Sequence, residues 1–92
     1  MRFVYPAVFR KKRGGGWSGF FPDLSGCEVE GETLDEAVDR AIEAEYRWLS
    51  AEFEEESPEL PTISHADDLK LKKGDIVRDI GVVYRFFDGW DE

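Results

Sequence analysis

The chain has 92 residues, a formal net charge of −9, 41% hydrophobic residues and 14% aromatic ones. This length supports one packed core and not two, and the aromatic content excludes a disordered chain. No apolar run approaches the ~20 residues that span a bilayer. The start at Met1-Arg2 lacks the pattern of a signal peptide, and the single cysteine, Cys27, excludes an intrachain disulfide and a four-cysteine zinc site. The expected setting is the cytoplasm.

Phe3-Val4-Tyr5-Pro6-Ala7-Val8-Phe9 is rich in aromatic and β-branched residues and reads as a strand. Pro6 offers no N–H, which places this strand at an edge or at a bulge there. Arg10-Lys11-Lys12-Arg13 and the glycines 14–16 read as an exposed turn, with the glycines supplying positive φ. Trp17–Phe21 returns as a second strand. Pro22–Gly26 is turn chemistry, and Cys27–Glu30 alternates in the manner of a half-buried third strand.

Thr33-Leu34-Asp35-Glu36 has the form of a capping box, in which the Thr33 hydroxyl accepts from the Glu36 N–H and the Glu36 carboxylate reaches back to the N–H of Thr33. Leu34, Val38, Ala41, Ile42, Trp48 and Leu49 then recur at helical spacing to about Glu56, before Ser57-Pro58. Glu45 falls near the centre of that apolar stripe, so either the helix tilts away from the sheet there or Glu45 has a partner. Residues 58–73, with Pro58 and Pro61, form a loop. Ile76–Arg85 is the last strand, and Phe86–Trp90 is an aromatic tail. The order β-β-β-α-β specifies an α+β unit in a single domain over 1–92, with a small antiparallel-rich sheet and one amphipathic helix on one face.

Several of these segments carry a pattern of their own. Tyr5-Pro6 precedes an aromatic strand, then come Phe21-Pro22-Asp23-Leu24-Ser25-Gly26-Cys27 and Gly31-Glu32-Thr33-Leu34-Asp35-Glu36-Ala37. In order and spacing this resembles the N-terminal domain of the HicB family of antitoxins over residues 3 to about 85. Ser25 stands where proline is usual, Glu32 where aspartate is common, and Asp35 in place of glutamate. The resemblance implies a truncated ribonuclease H-like fold. It also implies a role as a binding protein that occludes a small, basic, mRNA-cleaving HicA-type toxin, and a homodimeric or higher state. Many members add a helix-turn-helix or ribbon-helix-helix module. No such segment follows residue 85 in this sequence, so operator DNA is not an expected partner.

The charge distribution fits a basic protein partner. Residues 1–20 hold five basic and no acidic side chains, whereas residues 21–92 hold 7 basic and all 21 acidic ones, a balance of −14. A body this acidic repels polyphosphate and complements a basic surface. Arg10–Arg13 with Trp17 is the one candidate grip for nucleic acid, against its ordinary reading as a solvated hairpin tip. A ribonuclease H-type reaction would require carboxylates converging from adjacent strands on a metal pair. Asp23, Glu28, Glu30 and Asp79 are the candidates, yet the first strand has no carboxylate. The expectation is therefore no catalysis, no metal and no cofactor, with a nucleic-acid enzyme or regulator, or an orphan domain of this type, as the alternative. Cys27 is expected to be a buried thiol, and His65 exposed.

Candidate toxin-binding residues are Asp39, Glu43, Tyr46, Phe53 and Glu54, from the helix face and its margin. Candidate oligomer contacts are Val83, Arg85, Phe86, Phe87 and Trp90, from the last strand and tail.

Overall fold

Alternation along the first strand determines which residues form the core. The computed structural model describes residues 2–84. Strand β1 (Arg2–Lys11) turns Tyr5, Ala7 and Phe9 to one face, where they meet Ala37, Ala41 and Leu49 of helix α1 (Leu34–Phe53). Strands β2 (Trp17–Phe20), β3 (Glu28–Gly31) and β4 (Ile76–Val83) complete an antiparallel sheet in the order β3-β2-β1-β4. Ile80 and Val82 of β4 lie opposite Tyr5 and Phe3 and close the other side of the core. This is the α+β architecture expected from the sequence.

The boundaries differ for identifiable reasons. The strand continues through Arg10 and Lys11, where a charged turn was expected, because both residues pair with β2. Arg10 also lies over the Phe20 ring at 5.1 Å and donates through Nε to both oxygens of Asp75, at 2.9 and 3.1 Å. The reversal shrinks to 12–16, where Gly14, Gly15 and Gly16 all have φ between +84° and +113°. Burial works to raise the pKa of Asp75, but the Lys72 N–H and the Arg10 guanidinium outweigh it and hold the group below the ordinary carboxyl range.

Pro6 is accommodated by the stagger of the sheet. β1 pairs with β2 only from Val8 onward, whereas it pairs with β4 along Arg2–Phe9. At Pro6 the strand is therefore an edge on one side, where a missing N–H leaves no ladder bond unmade.

Helix α1 begins as the capping signature requires: the Thr33 Oγ accepts from the Glu36 N–H at 3.1 Å. The reciprocal bond is shifted by one residue, since the Glu36 carboxylate accepts from the N–H of Glu32 at 3.3 Å, not from that of Thr33. The helix ends at Phe53, three residues before Glu56, and the last strand ends at Val83. Thr33→Ala should lower stability by about 1 kcal/mol in urea titration, the usual effect of losing an N-cap hydroxyl. The connection between α1 and β4 contains a single 3-10 turn, Ala66–Asp68.

Candidate functional site

The helix carries two different outer surfaces. On the solvent side, Asp39, Glu43 and Glu54 are exposed. Glu36 and Glu43 are bridged by Arg40 and Arg47 one turn on, at 3.0 and 3.5 Å. Asp39 has no ion pair among the described residues. Toward β4, α1 borders a groove of about 450 Å³ lined by Ile42, Glu43, Tyr46, Arg47 and Gly81–Val83. Ile42, Tyr46 and Val83 are 41%, 44% and 57% exposed.

Tyr46 and Phe53, proposed from the helical stripe, are brought together through a third ring. Tyr84 lies 5.3 Å from Tyr46 and 4.8 Å from Phe53, and Phe53 is 5.5 Å from Phe3. Phe53 is thereby half-buried, while Tyr46 stays open to solvent. Glu54 is the helix C-cap residue. Asp39, Glu43 and Tyr46 therefore share one accessible helix surface, and Glu54 stands at its end. Of the expected oligomer contacts, Val83 is exposed on the edge strand β4. Arg85, Phe86, Phe87 and Trp90 lie outside the described residues.

The motif residues build the opposite flank. Phe21, Leu24 and Cys27 are buried, and their backbones close the turn: the Phe21 N–H donates to the Cys27 carbonyl, the Leu24 N–H to that of Phe21, and the Cys27 N–H to that of Leu24. Cys27 thus ends the turn and does not open β3, and burial pushes its thiol up to about 11, with the Glu45 charge adding to the shift. Pro22 and Gly26 are exposed. Asp23 grips the distant loop, accepting from the Ser64 N–H at 2.8 Å and from the Ser64 hydroxyl at 2.6 Å. The Trp48 indole N–H donates to the Ser25 carbonyl at 3.0 Å and pins the helix to the same turn.

The four carboxylates weighed for metal chemistry do not converge. Asp23 is engaged by Ser64. Glu28 and Glu30 alternate to the sheet face away from the helix, where Glu30 meets Lys12 at 3.0 Å. Asp79 lies on β4, three strand positions from β3, or roughly 14 Å at the usual inter-strand spacing. No group of three or more His, Cys, Asp or Glu side chains among the described residues is placed to hold a metal ion. In the basic run, Arg10 and Lys12 are committed to Asp75 and Glu30, leaving Lys11 and Arg13 exposed. His65 is exposed.

Glu45 departs from both sequence expectations. Its side chain is 0% exposed, and neither carboxylate oxygen has a hydrogen-bond partner among the described residues. Burial pushes its pKa up to about 8. The stripe made this residue visible, but the sequence does not show that its surroundings lack a compensating cation.

A cap-anchored helix laid over a short antiparallel sheet, with no converging catalytic carboxylates among the described residues, defines a small α+β domain with an acidic helical face. Residues 5–80 match the HicB-like antitoxins of bacterial toxin–antitoxin systems, and the chain belongs to that family. A UPF0150 protein of Synechocystis, ssr1765, is 32% identical over 56 residues, which cover 61% of this chain and 71% of that protein. The fold matches the N-terminal domain of the Burkholderia pseudomallei antitoxin HicB with a TM-score of 0.77 at 24% identity, over 89% of this chain and 100% of that one. A chain of the HicA3 and HicB3 toxin–antitoxin complex matches with a TM-score of 0.64 at 31% identity, over 85% of this chain and 95% of that one. No helix among the described residues is long and apolar enough to cross a membrane.

Proposed function

We propose that this chain is a cytoplasmic antitoxin that binds and occludes a small basic toxin of the HicA type, acting as a binding protein and not as an enzyme. The observation that carries this reading is the family match over residues 5–80. It is supported by the 31% identical chain found in a HicA3 and HicB3 toxin–antitoxin complex and by the −14 balance beyond residue 20. Asp39, Glu43 and Tyr46, with Phe53 and Glu54 at the helix end, form the proposed docking face. Acidic rim groups steer a basic partner, and Tyr46 supplies an aromatic contact. Co-expression with a small basic protein encoded beside this chain tests the function. Relief of growth arrest together with co-purification is expected, and arrest that persists with no complex refutes it. Lysines at Asp39 and Glu43 should slow association severalfold at low salt and by much less at high salt, because rim charges act mainly on the on-rate. An unchanged rate at low salt places the contact elsewhere.

We further propose a homodimer or higher oligomer built from the β4 edge and the aromatic tail, with Val83, Arg85, Phe86, Phe87 and Trp90 contributing. An exposed edge strand favours such pairing. Light scattering on the full chain and on a truncation after Arg85 tests it. A full chain that is monomeric at micromolar concentration rejects the oligomer, and a truncated chain that still dimerises rejects the tail as the contact.

A further inference from the structure

The two edges of the sheet are unlike each other. β3 offers the 4 residues Glu28–Gly31, and β4 the 8 residues Ile76–Val83. Glu28 and Glu30 alternate to one face of β3, so pairing that strand with its own copy sets carboxylate against carboxylate. On β4 the charged residues are Arg78 and Asp79, and Ile80–Val83 has none. A charged side chain is one device that keeps an edge strand from pairing, and the second half of β4 lacks it. The exposed apolar side chains gather at the same place. Of the large ones among the described residues, Ile42, Tyr46 and Val83 border this half of the strand and line the α1–β4 groove.

The residue pattern of β4 suits a second copy of itself. Ile80 and Val82 turn to the core, opposite Tyr5 and Phe3, so Asp79, Gly81 and Val83 turn to the face away from α1. Residues directly opposite in an antiparallel pair share a face, so a two-fold axis passes through a residue and not between two. An axis at Arg78 or at Asp79 sets like charges together. An axis at Ile80 or at Gly81 leaves Asp79 against uncharged Gly81 or Val83. An axis at Val82 sets Asp79 opposite Arg85 in both halves of the contact. Asp79 is exposed and has no ion pair among the described residues.

We propose that β4 pairs antiparallel with β4 of a second copy about an axis at Val82, with Asp79 of each copy facing Arg85 of the other. This rests on the oligomer proposed above and specifies its contact. The two sheets become one and both helices lie on the same face. The two α1–β4 grooves then open into a single trough lined by Ile42, Tyr46 and Val82 of both copies. Each exposed Val83 faces Gly81 of the other copy, and Glu43 of each stands at a rim, so a basic partner meets acidic groups from two chains.

Charge reversal followed by light scattering tests this register in the full chain. Asp79→Arg alone and Arg85→Asp alone each set like charges together twice per dimer, and each should weaken self-association about tenfold or more. Mixed in equal amounts, the two variants should associate again to within about threefold of wild type, because both contacts between them join opposite charges. A chain carrying both substitutions should do the same. Asp79→Lys and Arg85→Glu replace any variant that does not fold by circular dichroism. In the unmodified chain, amide protection over Ile80–Val83 should rise about tenfold or more from monomer to dimer, while that over Glu28–Gly31 stays level. A dimer that ignores the single reversals, one that mixing does not restore, or protection gained at β3 in place of β4 overturns this register and leaves the oligomer standing. A wild-type chain that stays monomeric at micromolar concentration refutes the oligomer and this contact with it.

Discussion

Glu45→Leu should stabilise the protein by about 2–4 kcal/mol at pH 8.5, measured by urea unfolding, and by clearly less at pH 5. The sign follows from the titration. The folded-state pKa of about 8 lies above the ordinary value of 4.5, so the native state binds the proton more tightly than the unfolded chain does. The stability tied to the neutral carboxyl is fully present below pH 4.5, falls across the interval, and is gone once pH passes 8. Each pKa unit corresponds to about 1.4 kcal/mol. The wild-type chain should therefore lose stability steadily between pH 5 and pH 8.5, while the leucine variant shows a much flatter profile. Equal slopes in the two proteins would show that the carboxyl is solvated in the folded state. Asp75 acts in the opposite direction: its lowered pKa contributes stability above its ordinary range that is lost as pH falls through the folded value.

Gly31→Ala should be the most damaging glycine substitution among the described residues, with an expected loss of about 2–4 kcal/mol. Gly31 is buried at the end of β3, and a Cβ there would stand 2.6 Å from the Ala37 backbone nitrogen and 3.0 Å from its Cα. Those atoms belong to the first turn of α1, which cannot yield as a flexible side chain would. Separating helix and strand also strains the bond from Arg40 Nη1 to the Glu30 carbonyl, now 2.9 Å. An unfolding free energy from urea titration within a few tenths of a kcal/mol of wild type would mean that the helix start shifts without penalty. The same comparison should place Thr33→Ala at a smaller loss, since that substitution removes one bond and creates no clash.

What the sequence discloses divides along the range of the interactions. The capping box, the helical stripe, the glycine turn and the alternation of β3 are all written within a few residues, and each has its counterpart in the structure. The sequence hides what depends on distant partners. Arg10 and Lys11 read as turn residues because their charge hides a strand whose support comes from Phe20 and Asp75. The capping reciprocity moved by one residue because Glu36 also faces Arg40 at 3.0 Å. The Asp23–Ser64 and Tyr5–Pro61 ties join segments on opposite sides of the helix in sequence, and no periodicity announces them. Pro6 was legible as an edge residue, but the sequence alone did not show that a strand inside the sheet order becomes an edge over part of its length. Asp39, Glu43 and Tyr46 were legible as one helix surface, whereas the ring cluster that half-buries Phe53 needed Phe3 from β1 and Tyr84 just past the end of β4.

The pairing of β1 with β4 matters for how the protein comes into being. Among the described residues the earliest strand, β1, finds its longest partner in the latest, β4, with Arg2 opposite Val83 and Phe9 opposite Ile76. During translation the middle of the chain, from β2 through α1, has its neighbours at hand, because its contacts are local. The outer half of β1 must wait with its backbone bonds and with Tyr5 exposed until the ribosome has released β4. Closing so long a loop is entropically unfavourable and slow compared with forming the hairpin and helix. The sheet is therefore completed only after synthesis of β4, and any partner that reads the finished α1–β4 groove recognises a chain in which β1 and β4 have already paired.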